Sequence, residues 1–187
     1  VLEEKVKKIL SYKYILNAHN FTPIDKATIH SKVNSSSAEW TKRKIYDGAV
    51  TLVRDTDNII PLTKLDKVKI ASVAVGAPAS NQFQTYLKKY SDVSSFQIKT
   101  TSEITNLTQL KDFDVVIISI HTDKITDSSA LQKIAKEKTT ILVNFTSPYR
   151  LSAFQTSALN ASSLIVAYDN SEHAQMSAAQ GIFGGIG

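Results

Sequence analysis

Apolar and polar positions change rhythm twice along the chain. Leu2, Val6, Ile9 and Leu10 fall at i, i+4, i+7 and i+8, one face of a helix, with Glu3–Lys7 and Glu4–Lys8 as i,i+4 pairs elsewhere on it. That pattern predicts a helix to about Leu16. A polar stretch with Pro23 and the cluster Ser35-Ser36-Ser37 reads as a linker. Ser36 with Glu39 three residues on is a capping-box signature, and Ile45, Ala49, Leu52 and Val53 share one side of the helix it predicts. Pro61 then stops any helix and pushes Ile60 towards extended geometry.

From Val68 the rhythm becomes strand, helix, strand. Val68–Val75, Phe96–Thr100, Asp114–Ile120, Thr140–Asn144 and Leu164–Tyr168 are the predicted strands. The run Asp114-Val115-Val116-Ile117-Ile118-Ser119-Ile120 is apolar on both faces, as a strand covered by helices on both sides must be. Between the strands lie a stripe of Phe83, Tyr86, Leu87 and Tyr90, a short helix at Leu107–Lys111, a helix carrying Leu131, Ile134 and Ala135, and a short one through Leu151 and Phe154. The last helix starts near Asn170 or Ser171, carries Ala179, Ile182 and Phe183, and stops at Gly184-Gly185. Strands alternating with helices imply right-handed crossovers. The expected fold class is α/β, a three-layer α/β/α sandwich whose mostly parallel sheet has flavodoxin-like order 2-1-3-4-5.

Composition changes this picture little. The 187 residues are 42% hydrophobic and 21% charged, ordinary for a globular chain. Net charge is +5 and the sequence pI about 9.3, but Lys5, Lys7 and Lys8, then Lys42, Arg43 and Lys44, then Lys88-Lys89 are scattered. No basic stripe interleaved with aromatics forms, so a nucleic-acid partner is not expected. There is no cysteine, which removes disulfides and thiolate metal sites, and no apolar run nears the roughly 18 residues of a membrane span.

The candidate chemistry sits where strands end. Gly76-Ala77-Pro78-Ala79-Ser80 has one glycine and neither G-x-G-x-x-G nor a Walker lysine, so it reads as a turn with at most weak phosphate affinity. None of His19, His30, His121 and His173 pair at i, i+4, and no metal or cofactor is expected. His121, with Asp123 beside it, follows the central strand, where open α/β sheets bind ligands; a loop pair bonded to its neighbours is the plainer reading. Glu172 in the first turn of the last helix is explained by the helix dipole. Asn144 to Tyr149 leaves another strand end, either as a ligand-facing cluster or as a structural turn, and Ser147-Pro148 is compatible with a cis bond. No G-x-S-x-G elbow supports a hydrolase triad. The N-x-[ST] matches at Asn20, Asn34, Asn106, Asn144 and Asn160 read as composition, because the one at Asn144 abuts a buried strand.

Four stretches in register resemble the second domain of glycoside hydrolase family 3. Leu2–Tyr14 resembles the last helix of that family's (β/α)8 barrel. Tyr46 to Asp55, followed by Asn58-Ile59-Ile60-Pro61-Leu62, is similar to the interdomain signature. Asn144 to Leu151 resembles the strand-end segment, with Ser147 where the family often has Asn. Ala167-Tyr168-Asp169-Asn170-Ser171-Glu172-His173-Ala174-Gln175 and Ile182-Phe183-Gly184-Gly185 resemble its close.

The resemblance implies a division into a terminal helix of a missing upstream barrel (1–20), an interdomain linker and helix (21–66) and the α/β sandwich (67–187). It is nearest the β-N-acetylglucosaminidase branch, whose retaining mechanism uses a nucleophilic Asp and an Asp–His acid/base pair, both in the barrel. The β-glucosidase branch takes its acid from a Glu on the second domain, in a loop like His121 to Thr126. Here that loop holds His121, Thr122, Asp123 and Lys124 but no glutamate. The resemblance therefore implies no catalytic residue on this chain, with the barrel of the same polypeptide and a carbohydrate substrate of the parent as partners. His121, Asp123, Asn144, Tyr149, Asn170 and Glu172 are the expected substrate-rim or interdomain contacts. The rival readings are a free-standing flavodoxin-like module for a small anion or a protein partner, and a β-glucosidase-type domain using Asp123 as the acid.

Overall fold

The computed structural model describes residues 1–20, 22–78, 81–106, 108–125 and 128–186. Ala79 and Ser80 of the Gly76 turn, Leu107 at the start of an expected short helix, and Thr126 in the loop after His121 lie outside the described residues. The chain forms two compact units, Val1–Glu39 and Trp40–Gly187.

The first unit holds α1 (Leu2–Ile15) and α2 (Lys26–Val33), neither with a buried residue. The apolar stripe of α1 is open to solvent: Leu2, Val6, Ile9 and Leu10 are all exposed. Helix α2 lies in the stretch read as linker. Its Asp25 cap, which accepts from the Ala27 N–H at 3.0 Å, is a signal the apolar pattern did not carry. Helix α3 (Ser36–Ala49) is capped by Ser35, whose hydroxyl accepts from the Ala38 N–H at 3.2 Å. The expected cap at Ser36 is thus one residue late, since adjacent serines offer adjacent capping registers.

The second unit is a single sheet between helical layers. Its strands are β1 (Thr51–Asp55), β2 (Ile70–Val75), β3 (Val93–Ile98), β4 (Val115–Ile120), β5 (Thr139–Asn144) and β6 (Ser163–Val166), in the order β1-β6-β5-β4-β2-β3. All pairings are parallel except β1 on β6. Numbered from β2, the parallel strands follow the expected 2-1-3-4-5 order. The further helices are α4 (Gln82–Leu87), α5 (Ser129–Glu137), α6 (Gln155–Asn160) and α7 (Glu172–Ile182), with 3-10 turns at Thr101–Asn106, Thr108–Asp112 and Pro148–Phe154.

Alternation of side chains sorts the core onto two faces. Val116, Ile118 and Ile120 of β4 join Leu131 and Ala135 of α5 and Ala158 of α6. Val115 and Ile117 face the other way, onto Phe83 and Leu87 of α4 and Ala174, Ala178 and Ile182 of α7. Both faces of β2 and β4 are buried throughout, as their continuous apolar runs require.

Three expectations are corrected. Leu52 and Val53 are not helical: α3 ends at Ala49, and Thr51–Asp55 closes the sheet as an antiparallel edge strand within the stretch read as linker and helix. An isolated apolar pair reads equally well at either period, and the partner strand lies more than a hundred residues away in sequence, so only tertiary pairing decides. The second parallel strand is Val93–Ile98 rather than Phe96–Thr100, because each residue of Ile70–Val75 pairs in register with it. The cis X-Pro bond is Ile60–Pro61, not Ser147–Pro148.

Beyond β1, Asp55 builds the turn. Its carboxylate accepts from the Ile59 and Ile60 N–H groups at 3.1 and 3.0 Å and from the Ser163 hydroxyl at 2.7 Å. Burial pushes its pKa up, but the bonds from Ser163, Ile60 and Ile59 outweigh that and hold it below the usual carboxylate value. Arg54 donates to the carbonyls of Ala158, Leu159 and Ala161, satisfying the last turn of α6. Helix α7 ends as the glycines predicted: Gly185 N–H reaches Gln180 O at 2.7 Å, Gly184 N–H reaches Gly181 O at 3.2 Å, and Gly184 sits at φ +75°.

Candidate functional site at the strand ends

Parallel strands deliver their carboxyl ends to one edge, and the candidates lie in the loops and helix start that follow those ends. The edge is stitched strand to strand: Gly76 N–H to Ile98 O at 2.8 Å, His121 N–H to Val75 O at 3.0 Å, Phe145 N–H to Ile120 O at 3.0 Å and Ala167 N–H to Asn144 O at 2.9 Å. Gly76 makes the close approach possible. It sits at φ +70°, and a Cβ there would lie 2.5 Å from Thr122 Cγ2.

Two residues beyond Ser119 on the same face of β4, His121 turns its ring into the sheet rather than to solvent. It is 8% exposed and lies over Phe145 at 4.7 Å between ring centroids. Nδ1 is 2.7 Å from Asn170 Oδ1, and Nε2 is 3.0 Å from the Ser119 hydroxyl. The Phe83 N–H donates to Gln175 Oε1 at 2.8 Å, which fixes that amide. Gln175 Nε2 must then donate, and it meets Asn170 O at 2.8 Å and Asn170 Oδ1 at 3.0 Å. With Oδ1 an acceptor, His121 Nδ1 carries the proton and Nε2 accepts from Ser119. Burial holds the His121 pKa below the ordinary histidine value, and the bond to Asn170 offsets part of that.

The atom types of Ser119, His121 and Asn170 match a nucleophile, a base and an orienting group. Ser119 is 0% exposed, however, so no substrate reaches its hydroxyl, and the arrangement is structural.

The remaining candidates divide cleanly. Asn144 is 0% exposed and spends its amide locally: Nδ2 donates to Thr146 O at 3.1 Å, and Oδ1 accepts from Thr146 N–H at 3.2 Å and Thr146 Oγ1 at 2.8 Å. Asp123 is exposed and pairs with Arg150, Oδ1 to Nε 3.8 Å. Tyr149 is 89% exposed beside an open groove of about 320 Å³ that also takes in Leu151, Ser152 and Gln155. Glu172 is exposed at the start of α7 and accepts from Tyr86 OH at 3.2 Å. The Tyr86 pKa is raised by burial and then by the Glu172 charge. His121 and Asn170 thus come together directly, Asp123 and Arg150 form a second pair, and Asn144 faces inward.

The chain also uses Ser119, Phe145, Gln175 and Arg150, none of them sequence candidates. Ser119 was findable, two residues before His121 on a strand and therefore on its face. No local signal joins Arg150 to Asp123. Among the described residues, no group of three His, Asp or Glu could hold a metal ion. An apolar recess of about 550 Å³ lined by Val50, Leu52, Ile60, Pro61 and Ile165 holds none of the candidates.

The fold is therefore a three-layer α/β/α sandwich around a mostly parallel sheet. Solved structures match most or all of it. A glycoside hydrolase family 3 β-N-acetylglucosaminidase from Paenibacillus sp. str. FPU-7 matches 99% of this chain with TM-score 0.70 and 16% identity. The β-glucoside phosphorylase BglX matches 100% with TM-score 0.69 and 17% identity, and a β-glucosidase from Listeria innocua 82% with TM-score 0.63 and 14% identity. The chain spans only 37%, 37% and 26% of those proteins. No protein-family model and no curated protein sequence matches it.

Proposed function

We propose that this chain is the second, α/β domain of a family 3 glycoside hydrolase that removes terminal β-N-acetylglucosaminyl (β-N-acetylhexosaminyl) residues with retention. In this reading it lacks the bond-breaking groups and serves by supporting the barrel and shaping the active-site rim. The observation that carries the reading is the match of 99% of this chain to the Paenibacillus enzyme, beside four stretches that resemble family 3 signatures. The uncovered apolar stripe of α1 supports it, because an amphipathic helix is stable when another surface takes its apolar face. The strand-end edge supports it too: its exposed groups, Asp123 with Arg150, Tyr149, Asn170 and Glu172, can hydrogen-bond a hydroxylated ligand, and the Ser119–His121 pair is buried.

The test is reconstitution. The isolated chain is expected to release no p-nitrophenol from p-nitrophenyl N-acetyl-β-D-glucosaminide, and addition of the separately produced barrel is expected to restore turnover. Enzyme-like turnover by this chain alone would sink the proposal.

A β-glucosidase parent is the second reading, favoured by the likeness to the Listeria enzyme and by the exposed carboxylate of Asp123 in the loop after β4. Asp123→Asn in the full-length parent separates the two. Under the first reading kcat stays within about twofold, since no proton passes through Asp123. Loss of a general acid costs roughly 10²–10⁴-fold, and a drop of that size would move the assignment to the glucosidase branch.

A further inference from the structure

The connection from β6 to α7, residues 167–171, is tied to β5 by the Ala167 N–H bond to Asn144 O, to α4 through Gln175, and to the end of β4 through the His121 imidazole. We propose that His121 is a protonation-controlled latch: neutral, it ties Asn170 and the start of α7 to the end of β4, and protonation releases that tie. The inference stands on the fold alone and does not rest on the glycosidase reading.

Geometry carries it. The string runs from the Phe83 N–H through Gln175 and Asn170 to His121 and ends at Ser119, and every bond in it has a fixed polarity. A proton added at Nε2 would face the Ser119 hydroxyl, which would have to turn from donor to acceptor. Its own hydrogen would then need a new acceptor at a residue that is 0% exposed. The imidazolium would meanwhile lie on the Phe145 ring with most of its hydration lost.

Among the described residues, no carboxylate is bonded to the ring to repay that cost. In the His121 loop, Asp123 is taken by Arg150, and Lys124 is exposed to solvent. On the approach to α7, Asp169 accepts from the Ser171 N–H at 2.5 Å, Glu172 accepts from Tyr86 of α4, and His173 stacks on Tyr46 of α3. From the loop after β5 the ring meets Phe145, and from β4 it meets Ser119. The proton is accommodated by swinging the ring to water, and that breaks the bond to Asn170.

The sign follows from the lowered pKa. The closed state disfavours the proton, so latching is complete above the free histidine value of about 6.5. It weakens as pH falls through the closed-state pKa, by up to tenfold in the opening equilibrium per pH unit, the slope of one linked proton.

Amide hydrogen exchange of residues 168–175 in the 187-residue chain, corrected for the intrinsic pH dependence of exchange, reads this directly. Opening is expected to increase between pH 7.5 and pH 5 in the wild type. His121→Gln can still donate to Asn170 and accept from Ser119 but cannot titrate, so its corrected exchange should be flat. Equal profiles in the two proteins would overturn the proposal. Nitrogen shifts of the His121 ring provide a readout independent of the variant's folding: the proton is expected on Nδ1 at pH 7.5, and a proton on Nε2 would overturn the latch by itself.

Discussion

Phe145→Ala is expected to destabilise the sheet unit by about 3–5 kcal/mol, the usual cost of emptying a buried aromatic site. Phe145 is 1% exposed, meets Phe83 edge-on at 5.1 Å and carries the His121 ring at 4.7 Å. Its loss leaves a cavity between β5 and α4 and removes the floor under the imidazole. Phe154 is also 1% exposed but belongs to the opposite face, with α5 and α6. Phe154→Ala should therefore cost a similar amount in chemical denaturation while leaving the pH response of residues 168–175 intact, whereas Phe145→Ala should abolish it. Equal effects of the two variants on that response would show that His121 does not depend on the ring beneath it.

Gly76→Ala is the second large effect, about 2–5 kcal/mol, from two separable sources. The left-handed backbone at φ +70° costs a side-chain-bearing residue about 1–2 kcal/mol. The new Cβ would also lie 2.5 and 2.6 Å from Thr122 Cγ2 and Cβ, neither of them the far end of a flexible chain, and overpacking of this kind costs about 1–3 kcal/mol. Thr122→Gly removes both atoms. In the double variant the steric part should return and the backbone part remain, giving a coupling of about 1–3 kcal/mol in a denaturation cycle. Strict additivity would mean that the ends of β2 and β4 can move apart at little cost.

The parts of the fold legible in the sequence are those where burial acts on a whole segment. The runs Val115–Ile120 and Thr139–Asn144 are covered on both faces, so their continuous apolar character identifies them as parallel strands, whereas the order 2-1-3-4-5 is a choice by fold analogy that connectivity alone does not make. Where burial is partial the apolar pattern is weak. Thr51–Asp55 has three exposed residues, and Val93–Ile98 contains two serines and a glutamine, so neither carries a periodic signal of its own.

The site divides along similar lines. His121 and Asn170 are both candidates because they lie in loops that leave strand ends. The bond between them spans 49 positions and depends on the β6–α7 connection folding back across the strand ends. Asn144 was read as facing a ligand or making a turn. It makes the turn, because four bonding positions close on Thr146 and Ser147 within the same loop.

The antiparallel strand β1 has a consequence for self-association. As the outermost strand it turns one backbone edge away from the sheet, with Leu52 and Val53 about half exposed beside it. A regular edge of that kind is a template on which a second molecule can extend the sheet. The register shift between Leu52 and Arg54 interrupts the row of donors and acceptors midway and bends the strand there. The five-residue edge is thereby cut into pieces too short to seed a continuous intermolecular ladder, which lets these apolar residues stay near the surface without inviting fibril-like stacking.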